Sequence, residues 1–138
     1  MCCGWTHAAC YDYDGNVYTW GSAKFGKLGH PNQYDVFKED DREIKPRKVF
    51  SFDNMKIIGV ALGMEYTLLL NNMGEIFMVG NMVPLRGQIK HELDYIRPVK
   101  CEPLQKQLRK SWMIRVRSGK NHAVCVDRGG NMYTFGLK

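Results

Sequence analysis

No apolar run in this 138-residue chain approaches the roughly 18–20 residues of a membrane-crossing helix; the longest apolar stretches, around 57–62 and 67–70, are strand-sized. The first residues lack a basic segment followed by an apolar core, and Asp12 and Asp14 come early. The expectation is a chain without a signal peptide. The five cysteines (Cys2, Cys3, Cys10, Cys101, Cys125) are odd in number and lack disulfide-like spacing. They read as reduced thiols of an intracellular, cytoplasmic protein, with nucleus or cytoskeleton/cilium as alternatives. There is no P-loop, dinucleotide fingerprint, zincin motif or nucleophile elbow, so the sequence gives no ground for the reactions those motifs support. No cofactor and no membrane partner is implied.

What is present is ordinary for one globular domain: 44% hydrophobic and 25% charged residues. The net charge of +6 is uneven. From Arg86 to Lys120, ten Lys and Arg face three acids, a local balance of +7 that leaves −1 for the rest. A basic stripe attracts nucleic acid or an acidic protein surface. No aromatic-interleaved nucleic-acid-binding motif accompanies it, and a solvated lysine-rich loop is the plainer reading.

The chain repeats itself. CGWTHAACYDYDGNVYTWG (3–21), LGMEYTLLLNNMGEIFMVG (62–80) and SGKNHAVCVDRGGNMYTFG (118–136) align without a gap. Gly4, Gly63 and Gly119 correspond; so do Gly15, Gly74 and Gly130, and Gly21, Gly80 and Gly136. His7, Tyr66 and His122 share one position, and Cys10, Leu69 and Cys125 another. The leucine implies that the cysteines are small buried apolar side chains. Each copy reads as a β-hairpin whose turn glycine supplies a positive φ. The second strands, NVYTW, EIFMV and NMYTF, are bulky without strict alternation, as in strands buried on both faces. KIIGVAL and WMIRVRS add a preceding strand to the second and third copies, whereas the first copy lacks such a pattern. KPRKVF and IRPVKC add a short strand, with Pro46 and Pro98 fitting an edge or a strand start. Four strands per unit of 56–59 residues is the pattern of a propeller blade.

These residues resemble the regulator of chromosome condensation repeat family: a Gly, a His-containing strand, a turn Gly, an aromatic strand ending Trp-Gly, then a Gly-Gln-Leu-Gly-His run. Here that run is Gly26-Lys27-Leu28-Gly29-His30; the second copy keeps only RGQI (86–89). The resemblance implies an all-β, seven-bladed propeller, which takes roughly 400 residues. About two and a half repeats are present. The expected fold is one partial propeller domain, an arc of two to three blades with repeat cores 3–21, 62–80 and 118–136 and variable loops 22–54 and 81–111.

Candidate site residues divide unequally. His7/Cys10 and His122/Cys125 give H-x-x-C twice, a metal-ligand spacing. Residues three apart on a strand point to opposite faces, however, and Tyr66 and Leu69 replace the pair in the second copy. The expectation is hydrogen bonding within or between blades, with no metal site. Cys2 and Cys3 fit a terminal strand. Asp12, Asp14 and Asp127 belong to hairpin turns. Trp5, Trp20 and Trp112 read as packing residues, Trp5 at a loop position open to exposure. No catalytic residue is assigned. Partner binding is placed on Arg86, Lys90, Lys106, Arg109 and Lys110, in the stretches that vary most between copies.

Two functions follow. One is a non-catalytic scaffold that binds other protein chains within a larger propeller or complex. The other, implied by the family's namesake, is guanine-nucleotide exchange on a small GTPase, with nucleic acid or nucleosome as a further partner.

Overall fold

The computed structural model describes residues 1–30, 42–50, 54–81, 99–101 and 112–136. Eleven strands run in chain order: β1 Cys2–Cys3, β2 His7–Tyr11, β3 Val17–Ser22, β4 Arg42–Lys48, β5 Ile57–Leu62, β6 Tyr66–Asn71, β7 Ile76–Gly80, β8 Val99–Lys100, β9 Met113–Ser118, β10 His122–Asp127 and β11 Met132–Gly136. The helical element among the described residues is one 3-10 turn, Lys24–Gly26. The strands form three antiparallel sheets ordered β1-β2-β3-β4, β5-β6-β7-β8 and β9-β10-β11. These are three successive propeller blades, the third showing three strands among the described residues. β4, which contains Pro46, is the outer edge of the first blade, the place where a missing N–H is tolerated.

The first blade does have an inner strand. Cys2 and Cys3 pair with Ala9 and Ala8, and Cys2 donates its thiol to the carbonyl of Val60 at 3.3 Å. The expectation that this copy lacks a preceding strand is thereby corrected. The terminal strand read at Cys2 and Cys3 is this inner strand; two residues are too few to show the pattern of KIIGVAL or WMIRVRS.

All three hairpins turn on glycines at positive φ: Gly15 (86°), Gly74 (74°) and Gly130 (83°). Each turn is closed by an Asp or Asn before it and a side-chain partner four residues later. Asp12 Oδ1 accepts from the Asp14 and Asn16 backbone N–H groups at 3.0 and 2.9 Å, and Asn16 Nδ2 donates to Asp12 Oδ2 at 3.0 Å. Asn71 accepts likewise from Met73 and Glu75 N–H groups and donates to Glu75 Oε1 at 3.1 Å. Asp127 receives the Asn131 backbone and side-chain amides at 2.9 and 3.1 Å. These bonds, led by the Asn16 side chain, hold the Asp12 carboxyl below its ordinary pKa. The aspartates thus serve the turn, as their positions suggested.

Two apolar layers join the blades. Ala9, Val17 and Val49 of the first blade meet Ile57, Val60, Leu62, Leu69 and Val79 of the second. The opposite face of the second blade, with Leu68, Leu70, Ile76 and Met78, meets Met113, Val116, Ala123 and Cys125 of the third. The second blade's central strand alternates between the two layers, Leu69 in one and Leu68 and Leu70 in the other, as the two-residue period of a strand requires. The second blade's β6 is buried at every position. The flanking strands β2 and β10 are buried at alternate positions only.

Candidate functional site

The repeated polar positions are built into the seams between blades. His7, on the face of β2 that meets the second blade, lies with Nε2 2.8 Å from Thr67 Oγ1. The Thr67 hydroxyl donates to the carbonyl of Lys27 at 2.7 Å, so its oxygen accepts from the His7 Nε2–H. Burial, reinforced by the nearby Lys27 charge, pushes the His7 pKa down to about 3, which keeps the ring neutral. Tyr66 holds the same repeat position one blade on. Its hydroxyl donates to the carbonyls of Gly119 and His122 in the third blade, at 3.0 and 2.8 Å, and burial pushes its pKa up to about 12. His122, the third member, is exposed.

The Gly26–His30 run is wedged between the first two blades. Thr19 of β3 donates to the carbonyl of Leu28 at 2.7 Å and lies 3.0 Å from His30 Nε2. Thr67 of β6 takes the adjacent carbonyl, that of Lys27. Two threonines on neighbouring blades therefore grip successive carbonyls of one turn. Lys27, where the family pattern has glutamine, sends Nζ to Thr6 Oγ1 at 2.7 Å and to the Met64 carbonyl at 3.3 Å. It is a strut across the same seam. Burial lowers its pKa, opposed by Glu65.

The thiols are sealed in the second seam. Burial pushes Cys101 up to about 12 and Cys125 up to about 11, leaving both protonated and poorly nucleophilic at neutral pH. All five cysteines are unpaired. Cys125 and Leu69 are buried as their shared position suggested. Cys10 is only half-buried, because the face it shares with Ala8 is turned away from the second blade. His7 and Cys10 diverge across their strand. Among the described residues no group of three or more His, Cys, Asp or Glu is arranged to hold a metal.

A cleft of about 500 Å³ opens where the loops leading into β2 and β6 face the end of β3. Trp5, Thr6, Met64 and Glu65 line one part of it, Lys24 and Arg42 another. Trp5 is 64% exposed, and the Lys120 ammonium sits 5.2 Å from its ring centroid, within cation–π range. Exposure is the outcome that the loop position of Trp5 left open; a loop tryptophan carries no periodicity from which burial can be read. Trp20 and Trp112 are half-buried. Trp112 lies on Gly74 and under the Arg128 guanidinium at 4.6 Å. Arg86, Lys90, Lys106, Arg109 and Lys110 lie outside the described residues.

The model of the Regulator of chromosome condensation (RCC1) repeat matches residues 14–70. This segment runs from the first blade's turn through β3 and β4 into β5 and β6, so one sequence repeat spans a seam. Among curated proteins, the Ultraviolet-B receptor UVR8 of Arabidopsis thaliana is 26% identical over 136 residues, covering 99% of this chain and 28% of its own. Regulator of chromosome condensation of Xenopus laevis is 29% identical over 135 residues, covering 96% and 29%. The mouse serine/threonine-protein kinase Nek9 is 28% identical, covering 97% and 14%. The chain spans less than a third of the length of these relatives. Among solved structures, human WBSCR16 superposes with a TM-score of 0.75 at 18% identity, over 98% of this chain and 32% of that one. Prp20p of Saccharomyces cerevisiae gives 0.73 at 21%, over 97% and 32%. At those identities the superpositions speak for the fold. With three stacked blades and glycine turns at fixed offsets, the chain has a propeller fold, and residues 14–70, across the first seam, match the Regulator of chromosome condensation (RCC1) repeat.

Proposed function

We propose that the chain is a non-catalytic part of a β-propeller, most simply a seven-bladed one, that serves as a protein-interaction scaffold within a larger protein or multi-subunit assembly. One observation carries this reading: the polar side chains that recur in the repeat are engaged in holding blades and turns together. His7 and Tyr66 cross seams, Asp12 and Asp127 close turns, and Thr19 and Thr67 fix the wedge. What differs between copies is left to loops, where a rigid frame presents binding groups. The relatives point the same way. Their names cover a receptor, a kinase and E3 ubiquitin-protein ligases, so the shared repeat accompanies unrelated activities.

Guanine-nucleotide exchange is the second reading. It is favoured by the likeness to Regulator of chromosome condensation and to Prp20p, whose structure is described together with its binding to Gsp1p and histones. Exchange needs no covalent chemistry. A propeller that binds the nucleotide-free GTPase more tightly than the loaded one promotes release by differential binding.

A nucleotide-release assay with the full-length protein and a panel of small GTPases, run beside quantitative crosslinking of its stable partners, separates the two. The scaffold reading expects a reproducible protein partner and release rates at background. Accelerated release on one GTPase replaces it with the exchange reading.

A further inference from the structure

We propose that the outer face of the first blade docks a further propeller blade that carries tyrosine, not histidine, at the repeat position shared by His7, Tyr66 and His122. This docking presupposes the propeller part of the reading above and is independent of the scaffold role.

The two seams are built by different pairings. In the first, His7 donates to the Thr67 hydroxyl at 2.8 Å. In the second, Ala123 holds the repeat position of Thr67. Alanine has no hydroxyl, and Tyr66 donates instead to the backbone carbonyls of Gly119 and His122. A histidine therefore goes with a threonine on the facing strand, and the longer tyrosine with an alanine. The surroundings differ as well. The face that meets His7 carries Leu69, Phe77 and Val79 beside Thr67. The face that meets Tyr66 carries Cys125, Tyr133 and Phe135 beside Ala123.

The outer face of the first blade repeats the second kind. Ala8 pairs with Trp20 and Cys10 with Tyr18, in the register that pairs Ala123 with Phe135 and Cys125 with Tyr133. Alanine, cysteine and tyrosine are identical between the two faces, and the remaining position is aromatic in both. The backbone acceptors correspond too. Gly4 N–H closes on the His7 carbonyl at 2.8 Å, as Gly119 N–H closes on that of His122 at 2.8 Å. The first blade thus offers a tyrosine the two carbonyls that Tyr66 uses one seam on. Ala123 and Cys125 are buried in their seam, whereas Ala8 and Cys10 are half-buried, with no blade against them among the described residues. Stacking continues along a repeat array when each open face meets its complement. A second copy of the chain, stacked head to tail, would set His122 against Ala8. That imidazole would have no hydroxyl to meet, so the pairing discriminates against self-assembly.

The test places the photo-crosslinker p-benzoylphenylalanine at Tyr18 or at Tyr133 of the full-length protein and reads the crosslinked peptides by mass spectrometry. From Tyr133, which packs in the second seam, crosslinks should reach the second blade. From Tyr18 they should reach a repeat segment with tyrosine three residues after its first glycine. Tyr18 crosslinks to a segment with histidine at that position overturn the proposal, and mixing isotope-labelled copies shows whether that histidine is His122 of a second copy. Crosslinks to sequence outside the repeat overturn it too, as does their absence when Tyr133 crosslinks. The pairing itself is checked at the first seam. His7→Tyr should be better tolerated in a Thr67→Ala background than alone, by about fivefold or more in the unfolding equilibrium constant. Equal losses in the two backgrounds overturn the pairing on which the proposal stands. A Tyr18 crosslink outside the repeat, beside an intact Tyr133 control, removes this docking face while the scaffold role stands. Accelerated nucleotide release with the expected Tyr18 crosslinks does the reverse.

Discussion

The second blade and its two neighbours carry the same motif and live in different surroundings. β6 is buried along its whole length, while β2 and β10 each bury one face and leave the other partly open. The sequences differ accordingly. The second blade has Leu68, Leu69 and Leu70 where the first has Ala9, Cys10 and Tyr11 and the third has Val124, Cys125 and Val126. The inner faces of the flanking strands are the informative ones. His7 and Ala9 look towards the second blade from one side, Ala123 and Cys125 from the other. A blade core is therefore not a property of one repeat. It comes from stacking, and the motif supplies a strand able to present either face to a neighbour.

That comparison can be pressed hardest at Leu68 and Val124, which share a repeat position. Leu68→Ala opens a void in the packed seam and should cost about 2–5 kcal/mol in urea unfolding of the chain. Val124→Ala, on a half-buried face, should cost about 1 kcal/mol or less. Equal losses would mean that the seam is not the source of stability.

The turn glycines give a sharper contrast. A Cβ on Gly74 would come within 2.7 Å of the Trp112 ring and 2.9 Å of the Met113 amide nitrogen, whereas one on Gly130 meets nothing within 4 Å. Both have positive φ, so both alanine variants carry the backbone penalty of about 1–2 kcal/mol. Gly74→Ala should lose about 1–3 kcal/mol beyond that, by displacing the start of the third blade. Thermal unfolding midpoints of the two variants measure the difference.

A gentler effect is set by pH. The His7 pKa drops from 6.5 unfolded to about 3 folded. Below pH 6.5 the unfolded chain therefore binds a proton that the folded chain refuses, and His7 contributes a stability that rises from about pH 3 to 6.5. His7→Gln keeps an amide donor for Thr67 without a titrating ring, and should flatten that slope. Cys101 and Cys125, raised from 9 to about 12 and 11, act at the other end: their share of stability is full below pH 9 and declines above it. Unfolding midpoints across the pH range read both arms.

Much of this frame was legible beforehand, and the residues show why. Gly15, Gly74 and Gly130 announce their turns because few other residues accept their φ. The H-x-x-C pairs were separable by strand geometry and by the Tyr66–Leu69 substitution. Pro46 marked an edge. What stayed hidden is what depends on a neighbouring blade. Nothing local in His7 points to Thr67, 60 residues on, or in Tyr66 to the carbonyl of His122, 56 residues on. Lys27 reads as a surface lysine until Thr6 and Met64 close around its amine. Cys10 was expected to be buried because Leu69 and Cys125 are, and it differs because its face has no blade against it among the described residues. The Trp5 cleft was the least legible feature. It is assembled from the loops of two blades, and no spacing in the sequence encodes it.

The central claim is that the recurring histidine position is a seam bond between blades. The most direct measurement is a double-mutant cycle on unfolding free energy with His7→Ala, Thr67→Val and the pair. A buried hydrogen bond across the seam predicts a coupling of about 1 kcal/mol or more. Single losses that add within about 0.3 kcal/mol would contradict it, and would leave His7 as a packed ring with no part in holding the first blade to the second.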